Sequence, residues 1–381
     1  MRIFLVLHPS GNLSVPGNTT WLKNLYEPML DLGHEIYLLR LDEFCKQQKV
    51  IFRSNEYKER LSDYLVEIFK KEHTKKKFDI FFSYLTFLDV HTQTVKTISE
   101  TGVCTMNFSC NNTHQFYLVE ELAKAYEYNL YSEKSAGEKF KKIGANALWF
   151  QMAANPNYYY PKEVERTFDS SFVGLNYAKR PYYIKHLLDN GISTEVFGPG
   201  WIVNGKKKTR KELKRAYLLF KTLFNSDKNK RLLATTEINQ YDLSQYLVNK
   251  YSNNFHLPLT DEQVYFIYSK SKINLGFLEV FVANEATGSL TDYHIHLREF
   301  EIPMSGGLYC TNYSDELAEF YEPDKELINF RNEHELLDKV VYYLKHPSEA
   351  DKIRSAGYKR AKHCHTSQIR IENLFKQISF S

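Results

Sequence analysis

The chain has 381 residues, 43% of them hydrophobic and 15% aromatic, with 28 Tyr and 26 Phe against 16 Gly and 11 Pro. This balance excludes a disordered or fibrous protein, because disordered chains lack aromatics and favour Pro and Gly, and at roughly 150 residues per domain it predicts two domains, each with its own core. A net charge of only +4 excludes nucleic-acid binding by overall electrostatics.

The opening Arg2-Ile3-Phe4-Leu5-Val6-Leu7-His8 run is too short for a signal peptide and reads as a buried strand. No apolar stretch nears the roughly 20 residues that cross a bilayer. Cys45, Cys104, Cys110, Cys310 and Cys364 show no Cys-x-x-Cys spacing. A reduced, cytoplasmic protein without structural zinc is therefore expected.

Up to about residue 150, short apolar runs alternate with amphipathic stretches, the pattern of parallel strands joined by crossover helices. Strands are predicted at Ile3–Leu7, Glu35–Leu39, Phe78–Tyr84, Val103–Phe108, Tyr128–Tyr131 and Ala147–Phe150. Trp21, Leu25, Met29 and Leu32 recur at helical spacing within Thr20–Leu32, with Gly33 as the stop. A later helix, Ser132–Lys142, closes at Gly144. The first loop, His8-Pro9-Ser10-Gly11-Asn12, has neither the Gly-x-Gly-x-x-Gly nor the Gly-Lys-Ser/Thr pattern, so neither NAD binding nor ATP hydrolysis is indicated. Gly11 and Asn12 either bring backbone N–H groups close to an anion or form a plain turn. The Pro, Asn and Tyr cluster from Asn155 to Pro161 suits an interdomain linker.

A second α/β set is predicted from Asp169 to Gly174, with a helix over Tyr182–Asn190, a stop at Gly191 and a strand over Thr194–Phe197, then the turn Gly198-Pro199-Gly200-Trp201. Trp201 reads as a packing residue. Residues 203–250 read as a helical insertion, with Leu213, Tyr217, Phe220 and Phe224 on one face and seven basic residues between Lys206 and Arg215. Such a run is either a solvated helix start or a contact with an anionic membrane surface or phosphorylated acceptor. Thr260 with Gln263, Asn332 with Glu335, and Ser348 with Asp351 carry the capping-box signature of three further helices, and Lys272–Phe277 reads as a strand.

The most informative segment runs from Thr291 to Thr311 and reads as a loop, a short helix, a glycine stop and a strand. A helix start near Tyr293–His296 would be an anion site, with Arg298 adding a charge-assisted contact. Glu301 shares a helical face with Arg298. The pair fits either a surface ion pair or a carboxylate that accepts hydrogen bonds from ribose hydroxyls beside a cation.

The Arg298-x-Phe300-Glu301-x-x-x-x-Gly306 pattern, the Asp315–Phe320 helix, Pro347, Gly357, and His365-Thr366 with Arg370 resemble the C-terminal module of the glycosyl transferases group 1 superfamily. The spore-maturation-protein-B-like branch is the nearest in pattern. Phe172-Val173-Gly174, Arg180 and the Phe197–Trp201 turn fit the same branch. The resemblance covers roughly residues 168–201 and 260–375 and is only architectural over the N-terminal half.

This resemblance implies an α/β, GT-B fold. Two Rossmann-like doubly wound domains would face each other across a cleft, at 1–160 for the acceptor side and 161–365 for the nucleotide-sugar side, with a closing helix at 366–381 crossing back to the first. Glu301 would then hold the donor ribose, and Arg298 with Arg180 would neutralise the diphosphate leaving group. Tyr293, His296 and Gly174 would lie beside the donor, a nucleotide diphosphate sugar acting as co-substrate. No Asp-x-Asp motif occurs, so no essential metal is expected, positive side chains taking its role.

The sequence departs from the related family-four transferases, whose Glu-x7-Glu motif would place its first Glu where Tyr293 stands. Asp292 is a candidate substitute, and His114, in the loop after Val103–Phe108, a candidate to face the sugar. The implied function is transfer of a sugar to a saccharide, lipid-linked or protein acceptor in polysaccharide or glycoconjugate synthesis, at the cytoplasmic side of a membrane if the basic run binds it. A nucleotide-sugar epimerase of the same fold and a non-catalytic nucleotide-sugar-binding or assembly protein are the alternatives.

Overall fold

The computed structural model describes residues 1–8, 19–202, 212–220, 228–281 and 291–378. The chain forms two units: Met1–Asn155 together with His365–Ser381, and Pro156–Cys364. Gly11, Asn12, Phe224 and the basic positions Lys206 to Lys211 lie outside the described residues.

In the N-terminal unit, β1 (Arg2–Leu7), β2 (Glu35–Arg40), β3 (Ile80–Ser83), β4 (Cys104–Ser109), β5 (Tyr128–Tyr131) and β6 (Ala147–Trp149) form one parallel sheet in the order β2-β1-β3-β4-β5-β6. Ile3 to Leu7 are all fully buried, as a central parallel strand covered on both faces requires. Alternation along β1 sorts its residues. Phe4 and Val6 enter a core with Tyr57, Leu61, Leu65 and Phe69 of the helix Asn55–Lys75, while Ile3, Leu5 and Leu7 pack with Trp21, Leu25 and Met29 on the other face. Ser54 starts the long helix by accepting a hydrogen bond from the Tyr57 N–H.

The closing helix Ser367–Ile378 covers that second face through Ile371, Leu374 and Phe375. Its entry is fixed where the Ser367 N–H donates to the Ala154 carbonyl (3.0 Å). The expected helix over Thr20–Leu32 is present in two parts, a π-helical turn Leu22–Tyr26 and an α-helical Glu27–Asp31 containing Pro28. Proline cannot donate an N–H to the ladder, which breaks the regular pattern there.

In the C-terminal unit, β7 (Phe168–Val173), β8 (Thr194–Phe197), β9 (Phe255–His256), β10 (Ser271–Leu275), β13 (Tyr309–Asn312) and β14 (Ile328–Phe330) form a parallel sheet in the order β14-β13-β10-β7-β8-β9. Strand order reverses between β7 and β10, as it does between β1 and β3 in the first unit. Open α/β sheets bind ligands beyond the carboxyl ends of such strand pairs. A separate antiparallel ribbon, β11 (Glu279–Phe281) with β12 (Thr291–Tyr293), follows β10.

Several expectations are corrected. The helix of the first crossover starts at Arg180, not Tyr182, since Pro181 is well suited to a first turn. Tyr293 is a strand residue, and the helix starts at Arg298. Thr260 and Gln263 form a complete capping box. Asn332 caps its helix by accepting from His334 and Glu335, but the Glu335 carboxylate accepts from the Arg331 N–H (2.8 Å) instead of from the cap residue. Ser348 and Asp351 are no cap: the preceding helix ends at Lys345, and after His346 alone the next one, Pro347–Cys364, begins. In the insertion, residues 212–220 and Lys228–Lys250 are helical, and Leu213, Tyr217 and Phe220 are exposed. No helix among the described residues is long and apolar enough to cross a membrane.

Candidate functional site

Beyond the reversal point of the C-terminal sheet, β7 is followed by Gly174. Its N–H donates to the Phe197 carbonyl (2.8 Å), and its own carbonyl accepts from Trp201 Nε1 (2.9 Å). Trp201 is fully buried in the core of this unit, a packing residue. Gly198, at φ +140°, comes so close that a Cβ there would stand 2.2 Å from the Gly174 oxygen. A Cβ on Gly174 would stand 2.6 Å from the Phe172 ring and 3.2 Å from Arg298 Nη2. The two glycines therefore let the loops after β7 and β8 close together and bring the β7 loop against the Arg298 guanidinium.

Arg180 is 4% exposed. Its Nη1 donates to the Leu175 carbonyl (3.1 Å) and Nη2 to the Phe277 carbonyl (3.5 Å), while the buried Nε has no partner. Burial, and then repulsion from Arg298, lowers its pKa to about 9. Burial acts the same way on Arg298, but Tyr268, Glu301, Glu299 and Tyr309 outweigh it and hold Arg298 above its ordinary value. Among the described residues Arg298 makes no ion pair. Two guanidinium groups close enough to repel, one of them with an unfilled buried donor, thus sit together at this site.

Three acidic side chains frame this cation pair. Glu299 is 1% exposed and accepts from the Tyr309 hydroxyl (2.6 Å) and the His296 N–H. Burial raises its pKa to about 7 even though Tyr309 and Arg298 oppose this. His296 is held well below its usual pKa by burial and by Arg180, Arg298 and His294, so it is neutral at pH 7. Glu301 is no partner in a surface ion pair: it is buried, and it accepts from the Tyr159 hydroxyl (2.7 Å).

The third acid, Glu279, was not singled out from the sequence. It lies directly across the ribbon from Tyr293 and is 2% exposed. Its Oε1 accepts from the hydroxyls of Tyr183 (3.0 Å) and Tyr293 (3.5 Å) and pairs with Lys179 (3.4 Å), while its Oε2 is buried without a partner. An isolated acid in the run Phe277-Leu278-Glu279-Val280-Phe281 was the available signal, because a buried charge in an apolar strand needs a reason. Tyr159 left a weaker one, as the middle of three adjacent tyrosines.

Arg180, Gly174, His296, Arg298 and Glu301 are thus brought together in the C-terminal unit, and Tyr293 joins through Glu279. Asp292 pairs in register with Val280, and its Oδ1 accepts from the Tyr293 N–H (2.8 Å). His114 is exposed and belongs to the N-terminal unit, in the short helix Asn112–Gln115. Chemically, the cation cluster can neutralise a diphosphate, and the buried carboxylates can accept hydrogen bonds from hydroxyls.

No curated protein sequence matches significantly. Among solved structures, Anabaena Alr3699/HepE in complex with UDP and glucose is similar over 100% of both chains at 10% identity and a TM-score of 0.62. Sucrose-phosphate synthase from Thermosynechococcus elongatus is similar over 99% of this chain and 98% of that one, at 10% identity and a TM-score of 0.59. AviGT4, a glycosyltransferase involved in avilamycin A biosynthesis, matches over 99% and 96% at 13% identity with a TM-score of 0.55. These likenesses establish the two-domain GT-B fold. Residues 180–376 match the model of a family described as glycosyl transferase-like, a span that holds Arg180, Glu279, Arg298 and Glu301, and the chain belongs to that family.

Proposed function

We propose that this glycosyltransferase binds its nucleotide diphosphate sugar in the C-terminal unit, with the diphosphate between Arg180 and Arg298 and the ribose hydroxyls on Glu301. The reading rests above all on one observation: two adjacent guanidinium groups, one of them buried with an unpartnered Nε. In the transfer step an acceptor hydroxyl attacks the anomeric carbon, the bond from that carbon to the diphosphate oxygen breaks with its electron pair leaving on the diphosphate, and the hydroxyl proton passes to that departing diphosphate. Preorganised positive charge at that oxygen lowers the barrier without a metal. Glu279 is our substitute for the acid missing at Tyr293, in preference to Asp292: its bare Oε2 is suited to accept a sugar hydroxyl, with Lys179 beside it. Gly174 leaves room for the donor beside Arg298, and neutral His296 orients Glu299 through its backbone. His114 is proposed to face the sugar from the acceptor side.

The acceptor is a saccharide, a lipid-linked sugar or a protein, in polysaccharide or glycoconjugate synthesis. A peripheral membrane contact through Lys206 to Arg215 is supported by the exposed Leu213, Tyr217 and Phe220 beside it. It is opposed by Lys214 and Arg215 already pairing with Glu237 and Asp242. Incubating the protein with UDP-, GDP-, ADP- and dTDP-linked sugars alone tests the reaction class. Slow release of nucleoside diphosphate and free sugar supports a transferase, an isomerised nucleotide sugar supports an epimerase, and near-normal turnover by both Arg298→Ala and Glu301→Ala refutes the proposed site.

A further inference from the structure

We infer that a cavity in the N-terminal unit binds an acidic sugar, a pyranose carrying a carboxylate or a phosphate ester, and that Arg53 selects the acid. The inference rests on the glycosyltransferase reading and gives the chemical class of its acceptor. The cavity measures about 240 Å³. At about 30 Å³ per water that is room for roughly eight waters, enough for one sugar ring. It is lined by His8 just after β1, by Tyr84 and Thr86 just after β3, and by the end of β4. It therefore sits at the carboxyl ends of the strands between which the sheet order reverses.

The walls divide by chemistry. Trp21, Phe52 and Tyr84 line it with rings, and aromatic faces suit the C–H face of a pyranose. Asn112, 1% exposed, donates from Nδ2 to Ser109 Oγ (2.9 Å) but leaves its buried Oδ1 without a donor. A buried acceptor of this kind calls for a ligand hydroxyl or an ordered water.

Arg53 supplies the charge. Its backbone is left-handed (φ 60°), and its guanidinium stands over the Phe52 ring at 5.0 Å. The Nε and Nη2 edge faces Asp89, at 3.3 and 3.4 Å. These contacts are longer than the roughly 2.7–2.9 Å of a closed charge-assisted pair. Among the described residues Nη1 makes no hydrogen bond, which leaves an outer edge of the fork for a ligand. Asp89, 1% exposed, is an anion in the same wall, but its oxygens are covered: Thr86 N (2.8 Å), Thr86 Oγ1 (2.6 Å) and Tyr57 OH (3.2 Å) donate to it besides Arg53. Asp89 is thus a positioning residue that sets the guanidinium plane. A planar fork with a spare N–H matches a carboxylate or phosphate better than a neutral hydroxyl.

Saturation-transfer NMR titrations of the full chain with glucuronate, galacturonate, glucose 6-phosphate and methyl glucoside test this. We expect at least one acidic sugar to bind about tenfold tighter than methyl glucoside, the gain of a charge-assisted hydrogen bond, and Arg53→Gln to reduce it to the neutral sugar's level. The carboxylate and phosphate arms separate the two sources of the acid. Equal affinity for acidic and neutral sugars in the wild type, or binding of none of them, overturns the inference on the wild type alone. UDP-glucose titrated into the same wild-type sample separates the failures. Donor binding without acid binding refutes this inference alone, whereas loss of both also counts against the donor site.

Discussion

Replacing Glu299 with glutamine should remove a pH liability from the C-terminal unit. The Glu299 carboxyl is 1% exposed, and burial raises its pKa from 4.5 to about 7. Below pH 4.5 both folded and unfolded chains hold the proton and the group is neutral to stability. Between 4.5 and 7 the unfolded chain has released a proton that the folded one retains, so stability falls as pH rises, by about 1.4 kcal/mol per pH unit. Across the interval the loss is about 3 kcal/mol, complete by pH 8. Glutamine does not titrate. Its amide oxygen can still accept from the His296 N–H, and its NH2 can donate to Tyr309, whose hydroxyl turns from donor to acceptor. Calorimetric melts of both proteins at pH 5, 6, 7 and 8 should show the wild type losing ground to Glu299→Gln by about 6–12 °C over that range, at 2–4 °C per kcal/mol for a unit of this size. Melting temperatures that stay parallel across the range would refute the reasoning. Bound diphosphate disfavours the ionised carboxylate further, so donor affinity should weaken above pH 7 in the wild type and stay flat in the variant.

Other substitutions probe the same scaffold. Gly198→Ala should destabilise the C-terminal unit by at least about 3 kcal/mol, since it adds overpacking against the Gly174 carbonyl to a backbone at φ +140°; urea denaturation reads it. Tyr159→Phe leaves the buried Glu301 without its 2.7 Å donor and should cost about 1–3 kcal/mol, a loss that bound nucleotide should partly restore in a thermal-shift assay if Glu301 then takes ribose hydroxyls. Chelation with EDTA should leave turnover within about twofold if guanidinium groups do the charge neutralisation. Sedimentation with vesicles should show more binding to anionic than to neutral lipid if the basic run meets a membrane, and equal binding would dismiss that contact.

Much of this molecule is legible in its sequence because parallel strands buried on both faces leave an unmistakable apolar run. Ile3–Leu7 is of this kind, and it falls where the structure has a strand. Arg180, Arg298 and Glu301 were legible as a pattern, but their environment was not. Local spacing put Arg298 and Glu301 on one helical face, which fits a surface ion pair equally well, and only tertiary packing against Tyr159 and Gly174 buries them. Tyr293 shows the opposite failure. Read as the start of a helix, it belongs to a two-stranded ribbon whose partner, Glu279, is 14 residues away in sequence, and such register is set by cross-strand contacts that no local window contains. Arg53 escaped notice for a similar reason, since the residues that give it meaning, Thr86 and Asp89, lie more than 30 positions downstream.

The decisive measurement is isothermal titration of UDP-, GDP-, ADP- and dTDP-linked sugars into the wild type and Arg298→Gln. If Arg298 and Arg180 hold the diphosphate, one class of nucleotide sugar should bind, and its affinity should fall by about a hundredfold in the variant, the cost of truncating one partner of a desolvated charge pair. Equal affinity in wild type and Arg298→Gln would contradict the assignment.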